Sequence, residues 1–172
     1  MQNGGTLTTS GNTIIGLLAG STGTVLVTGN GSVLDTSGIA IGSAGNGSLT
    51  ISNGATVNAD TPVVIANSPG SIGNLNIGAA PGDAPVAPGT LNVLSSVAAI
   101  SFGAGTGAVN FNHTSSDYLF GGVIAGPCEV NVLSGVTALT GANSYTGGPP
   151  SRVPMPCWSS LRTRTSVRQA GL

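Results

Sequence analysis

The chain has 172 residues, a formal net charge of −1 and 29 glycines, with only 5% charged and 3% aromatic residues, against a usual charged share of about 25%. It contains no lysine, which excludes a P-loop phosphate site, a Schiff-base mechanism and a basic nucleic-acid surface. Its 40% hydrophobic content and mean hydropathy of +0.35 exclude charge-driven disorder, yet no run approaches the roughly 18 apolar residues of a membrane-spanning helix.

The first apolar stretch runs from Thr13 to Gly20. It does not read as the core of a signal peptide, because residues 1–13 carry no Lys or Arg to form a positive n-region. From Val25 onward the chain repeats. Val25 and Val27 match Leu49 and Ile51 at a step of 24 residues, and Ser32 and Val33 match Thr56 and Val57. Ile39 and Ile41 match Val63 and Ile65 at the same step, and Leu49 and Ile51 match Leu75 and Ile77 at a step of 26. Within each unit, apolar residues alternate with Ser, Thr, Ala or Asn, as in Leu49-Thr50-Ile51 and Leu75-Asn76-Ile77. Alternation at period two predicts strands with one buried face. The Asn-Gly steps at 30–31, 46–47 and 53–54 are expected to supply the positive φ of tight turns. No stretch carries a helical period, and glycine and β-branched residues are too frequent for a stable helix.

Short strands in a unit of about 24 residues fit one coil of a parallel β-helix, whereas a propeller blade needs about 40 or more. Parallel coils stack about 4.8 Å apart, so Val25, Leu49 and Leu75 should form one interior column and Val27, Ile51 and Ile77 another. Residues 1–148 would make about six coils, a rod roughly 30 Å long. Each buried aliphatic side chain contributes roughly 1.5–3 kcal/mol, so a core is feasible almost without aromatics.

A more specific pattern follows. Gly107-Ala-Val-Asn-Phe111-Asn-His113, Tyr118-Leu-Phe120 and Val123-Ile124-Ala-Gly126 precede the run Ala138-Leu139-Thr140-Gly141-Ala142-Asn143-Ser144-Tyr145-Thr146-Gly147-Gly148. This segment resembles the autotransporter-associated β-strand repeat of type V secreted passenger domains in Gram-negative bacteria, and the Leu-Thr-Gly-Ala-Asn-Ser-Tyr-Thr-Gly-Gly run is its specific part. The units before it look like the Gly-rich rung repeats upstream in such passengers, so the resemblance spans residues 1–148, with Gly-rich rungs over 1–95 and the autotransporter-associated repeat over 96–148. It implies an all-β fold, a right-handed parallel β-helix (solenoid) of about 24-residue rungs. It also implies a non-enzymatic stalk or adhesin-like surface with a role in adhesion or virulence, displayed at the cell surface and outer membrane or released outside the cell. Implied partners are a host-cell or extracellular-matrix surface, or further copies of the chain, met through a flat sheet face and loops such as 79–90. No nucleic acid, cofactor or metal is expected. The family's long signal peptide and C-terminal barrel are not among these residues, so the chain is expected to be an internal passenger fragment, tied to the membrane only through that barrel.

The pattern departs at two places. Gly126-Pro127-Cys128-Glu129 stands where small residues are the rule, and Pro149-Pro150-Ser151-Arg152 replaces the Thr, Val-containing strand and Gly-Thr-Leu that continue the family's run. All four arginines (Arg152, Arg162, Arg164 and Arg168) and Trp158 also fall after residue 148, leaving residues 1–148 with five acids and no Lys or Arg. The tail 149–172 is expected to be disordered and foreign to the fold, the out-of-frame end of a disrupted gene without autonomous function. A basic arm for an acidic partner is the other reading.

Chemical motifs are sparse, and no catalytic, cofactor-binding or metal residue is assigned. His113, Ser115, Ser116 and Asp117 include the triad residue types, but neighbours on a strand alternate faces and cannot converge; a surface turn is expected. Asp35, Asp60 and Asp83 recur near the repeat step, so an adjacent pair about 5 Å apart could serve a β-helical polysaccharide hydrolase or lyase. The expectation is solvated corner residues. Gly103, Gly105 and Gly107 do not fit the dinucleotide spacing and should mark a corner. Cys128 and Cys157 could pair on paper, and the Asn-x-Ser/Thr triplets at Asn30, Asn46 and Asn112 arise by chance in such a composition.

Overall fold

The computed structural model describes residues 1–94, 99–146 and 167–169. These residues form strands and no helix. In chain order the strands are β1 (Thr6–Ile15), β2 (Thr22–Thr28), β3 (Val33–Ile41), β4 (Asn46–Ser52), β5 (Thr56–Ala59), β6 (Val63–Ile65), β7 (Ile72–Gly78) and β8 (Thr90–Val93). There follow β9 (Ile100–Phe102), β10 (Thr106–Asn112), β11 (Tyr118–Phe120), β12 (Ile124–Gly126), β13 (Glu129–Ser134), β14 (Thr137–Leu139), β15 (Ser144–Tyr145) and β16 (Val167–Gln169).

Every pairing between these strands is parallel. Five strands form one sheet in the order β13-β10-β7-β4-β2. Eight form a second, β15-β12-β9-β6-β3-β5-β8 with β1 also on β3, and β11-β14-β16 form a third. Strands adjacent in a sheet are thus separated in sequence by strands of another sheet. β3 serves two rows: Val33–Thr36 pair with β5 and Ile39–Ile41 pair with β6.

The expected columns are present and longer than expected. Val25, Leu49, Leu75, Val109 and Val130 pair in register across the five-stranded sheet, as do Val27, Ile51, Ile77, Phe111 and Val132. Opposite them Ile39, Val63, Ile100 and Ile124 form one row and Ile41, Ile65 and Phe102 another. Val27, Leu49, Ile51, Leu75, Ile77, Val109 and Phe111 are fully buried, so the alternation with Ser, Thr and Asn is the alternation between core and outer face.

Two sequence expectations are corrected, and one feature was not expected. Val33 pairs with Thr56 rather than Val57, and Leu34 takes the place on Val57. The corner after Ser52 is one residue shorter than the corner after Thr28, so a fixed 24-residue step slips there. The slip matters because it decides which side chain enters the core: Leu34 is buried and Val33 is only half-buried. Second, Asn46-Gly47 is not a turn but lies inside β4. Third, Gly47 has an unanticipated role in an in-register row of glycines, Gly23, Gly47, Gly73 and Gly107. A Cβ at Gly47 would strike the backbone of Gly42, and one at Gly73 the carbonyl of Ile41. The preceding corner of the chain therefore packs directly on the strand, which only glycine permits.

On the outer face of the five-stranded sheet, amide side chains form a hydrogen-bonded ladder. Asn76 Nδ2 donates to Thr50 Oγ1 (3.0 Å), Asn110 Nδ2 to Asn76 Oδ1 (2.9 Å) and Asn131 Nδ2 to Asn110 Oδ1 (3.0 Å). The segment 79–88 is tied back to this face: Asn112 Nδ2 donates to the carbonyls of Ala80 and Asp83, each at 3.0 Å. Residues 81–85 of that segment are exposed.

Of the tail, the described residues are β16 alone, which pairs with β14. The rest of 149–172, and with it the expectation of disorder there, lies outside the described residues.

Candidate functional site

His113, Ser115 and Asp117 do not converge. Ser115 Oγ donates to Asp117 Oδ1 (3.1 Å) on an exposed turn, as expected for a surface turn. His113 departs from that expectation: it is completely buried. Its Nε2 lies 2.8 Å from Thr137 Oγ1, and its Nδ1 is buried without a hydrogen-bond partner. Its ring packs against Tyr118 (5.1 Å between centroids) and Phe111 (6.4 Å), which in turn meets Phe120 at 5.5 Å. Burial holds the imidazole below its ordinary value, with a backbone contact at Ser115 acting weakly the other way. The sequence signal for this core was available: His113 sits at the end of the alternating run Val109-Asn110-Phe111-Asn112, on the inward parity.

The carboxylates do not stack. Asp35 lies against Asn58 in the pairing register, and Asn58 Nδ2 donates to Asp35 Oδ1 at 2.6 Å. Asp60 and Asp83 are exposed corner and loop residues, as the composition suggested. The adjacent carboxylate pair that a retaining glycosidase needs is therefore not formed by Asp35 with Asp60. Gly103 and Gly105 mark a corner, where a Cβ would strike Asn67 and Ser71 respectively, whereas Gly107, expected there too, lies inside β10. Cys128 is buried, whereas Cys157 lies outside the described residues. Asn112 is buried and engaged with the 79–88 segment rather than presented at the surface. Among the described residues no group of three or more His, Cys, Asp or Glu could hold a metal ion, and no helix is long and apolar enough to cross a membrane.

A concavity among the described residues lies elsewhere, in a place no motif marked. A cleft of about 780 Å³ opens between β8 and β11. Successive layers touch along their other rows, where β9 pairs with β12 and β10 with β13. Along this row they part: β8 ends one sheet and β11 begins another. The cleft is lined by Leu91, Asn92 and Val93 on one side and by Tyr118, Leu119 and Phe120 on the other. At one end Tyr118 bridges it, its hydroxyl donating to the Gly89 carbonyl at 2.9 Å. Burial pushes the Tyr118 phenol up to about 12, so at neutral pH it is a donor and not an anion. None of its described lining residues is an acid or a cation, and its walls offer apolar surface and hydrogen-bonding groups to a ligand.

The class defined by these features is an all-β protein of parallel sheets with a neutral cleft between two strand edges. Comparison with known proteins yields no match, whether to a family model, a curated protein or a solved structure.

Proposed function

We propose that the chain is a right-handed parallel β-helix of about 24-residue rungs and serves as a non-enzymatic segment of a surface-displayed autotransporter passenger, a stalk or adhesin-like surface. The observation that carries this reading is the pair of in-register apolar columns, Val25 to Val130 and Val27 to Val132, in an all-parallel sheet. Sheets whose neighbours come from successive repeats need a coil that returns once per repeat, and a coil of this size is a solenoid rung. The autotransporter-like run at Leu139–Gly148 supports the passenger assignment. Such a stack adds layers one after another, which suits export of an extended chain from one end. The host-cell or matrix partner, and self-association, belong to the same proposal.

The polysaccharide-cleaving alternative loses support from the Asn58 contact of Asp35. It predicts that Asp35→Asn and Asp60→Asn abolish glycan cleavage, while the stalk reading predicts no cleavage by any form. The disrupted-gene alternative is favoured by one observation, the abrupt change of composition after Gly148. The test common to both is the DNA around the coding sequence. A Gly-Thr-Leu continuation and a downstream barrel in the same or a shifted frame support the passenger reading; the shifted frame adds the disruption. Neither in any frame overturns the passenger assignment.

A further inference from the structure

A parallel ladder directs the N–H and C=O of alternate residues to opposite sides of each strand. In β8 the Thr90 N–H donates to the Ala55 carbonyl (2.8 Å), and the following Leu94 N–H donates to Ala59 (3.0 Å). The even positions of β8 are thus spent on β5, and Leu91 and Val93 present their backbone groups to the cleft. In β11 the Tyr118 N–H donates to the Val136 carbonyl (3.0 Å), and the Phe120 carbonyl receives the Thr140 N–H (2.9 Å). Both are spent on β14, so Leu119 presents its N–H and C=O to the cleft from the other side. Two strand edges therefore face one another across a space with no backbone partner among the described residues.

The side chains on the β8 side indicate what fits. Asp35, Asn58 and Asn92 form a ladder, with Asn58 Nδ2 on Asp35 Oδ1 (2.6 Å) and Asn92 Nδ2 on Asn58 Oδ1 (2.9 Å). It ends at Asn92, on the lip of the cleft. Leu91, Val93 and Phe120 supply an apolar wall, and Leu94 and Leu119 stand at the rim 77% and 70% exposed. No described lining residue carries a formal charge.

We propose that the cleft is a binding site for an uncharged peptide in extended conformation, which adds as a strand alongside β8. Its backbone would pair with Leu91 and Val93, and with Leu119 across the cleft. An Asn side chain would continue the ladder from Asn92, flanked by aliphatic residues on the apolar wall. Strand addition of this kind draws affinity from main-chain hydrogen bonds and selectivity from alternate side chains. The site is independent of the passenger assignment and stands if that assignment fails.

The test uses the full ¹⁵N-labelled chain at low concentration and a blocked, uncharged heptapeptide, acetyl-Thr-Val-Leu-Asn-Val-Thr-Thr-amide. The expected result is a slowing of amide exchange at Leu91, Val93 and Leu119 by about tenfold or more on peptide addition. A peptide N-methylated at every residue should have no effect, because it can donate to neither edge. Replacing the peptide's Asn by Ala should weaken binding by about fivefold, the size of one hydrogen bond, and Asn92→Ala should remove that difference. Leu119→Pro deletes the donor aimed at the cleft while sparing the bonds to β14, as proline on an edge strand can; binding should fall about tenfold.

Four results overturn the proposal. The three amides are already protected in the free chain, so that the edges are filled from within. They become protected as protein concentration rises without peptide, so that a second copy is the occupant. The N-methylated peptide binds as well as the parent. A neutral oligosaccharide such as cellohexaose slows the same amides and the peptide does not. If Leu119→Pro fails to fold, the N-methylated peptide still decides between strand addition and simple apolar contact.

Discussion

Burial disfavours the charged form of His113 and holds its imidazole below the ordinary value. Its Nε2 shares a hydrogen bond with Thr137, and its Nδ1 has none; Tyr118, the titratable group in ring contact, is itself held neutral. Since burial lowers the folded-state value below 6.5, the unfolded chain binds the proton first as pH falls. Stability contributed by the neutral imidazole is complete above about pH 6.5 and declines as pH drops below it. The urea midpoint should therefore fall between pH 7.5 and pH 5.5, and His113→Gln, whatever its own stability, should show a smaller fall. Corner residues make a second prediction. Gly42 (φ 73°) and Ala66 (φ 53°) follow the paired residues Ile41 and Ile65 and share the left-handed conformation, which costs an alanine roughly 1–2 kcal/mol. Gly42→Ala should destabilise by at least that much, because its Cβ would also strike the Ile72 carbonyl. Ala66→Gly relieves strain but forgoes a buried methyl worth about 0.8 kcal/mol, so it should be neutral or mildly stabilising. Paired chemical-denaturation curves check both signs.

Among the strands, the outer amide ladder is where polar side chains hold layers together. Asn110 is 2% exposed and joins Asn76 to Asn131. Asn110→Ala would leave an acceptor on Asn76 and a donor on Asn131 unpaired, at a cost of about 2–3 kcal/mol; Asn92→Ala, at the exposed end of the other ladder, should cost under about 1 kcal/mol. Denaturation midpoints of the two variants measure the contrast. The same scale shows what could be read in advance. Val27, Ile51 and Ile77 were legible as one column because the steps of 24 and 26 residues are close to regular. Phe111 and Val132 belong to that column too, but the steps lengthen to 34 and shorten to 21, and a search at one period cannot follow them. The Leu34 register was missed by one residue because a single shortened corner leaves composition unchanged. The glycine row was visible only as abundance, since its cause is the approach of another part of the backbone. The β8–β11 cleft had no signature at all: it arises from two strands that do not meet, and Leu91 and Leu119 read individually as ordinary strand residues.

For the whole molecule, low charge and parallel stacking together leave the described edge at β2 ready to pair. β2 terminates the five-stranded sheet, and Met1 covers part of its edge by accepting from the Thr28 N–H at 2.9 Å. Leu26 on that strand is 47% exposed and Leu7 on the neighbouring β1 is 52% exposed. Natural sheets protect such edges with lysine or proline, and this chain has no lysine. Concentration-dependent association is expected in light scattering, and Leu26→Lys, which touches no core column, should reduce it. A monodisperse monomer at high concentration would contradict this.

Segment 79–88 has a wider consequence. It lengthens one step by a third, yet Ile77 still meets Phe111 and Asn76 still meets Asn110. Alignment of the layers is thus set locally by each strand pair, without any tally of the residues between. Foreign sequence spliced between the exposed Ala84 and Pro85, beyond the turn that Asn112 holds at Ala80 and Asp83, would inherit that indifference, which makes this bend a natural mounting point for displayed epitopes or tags.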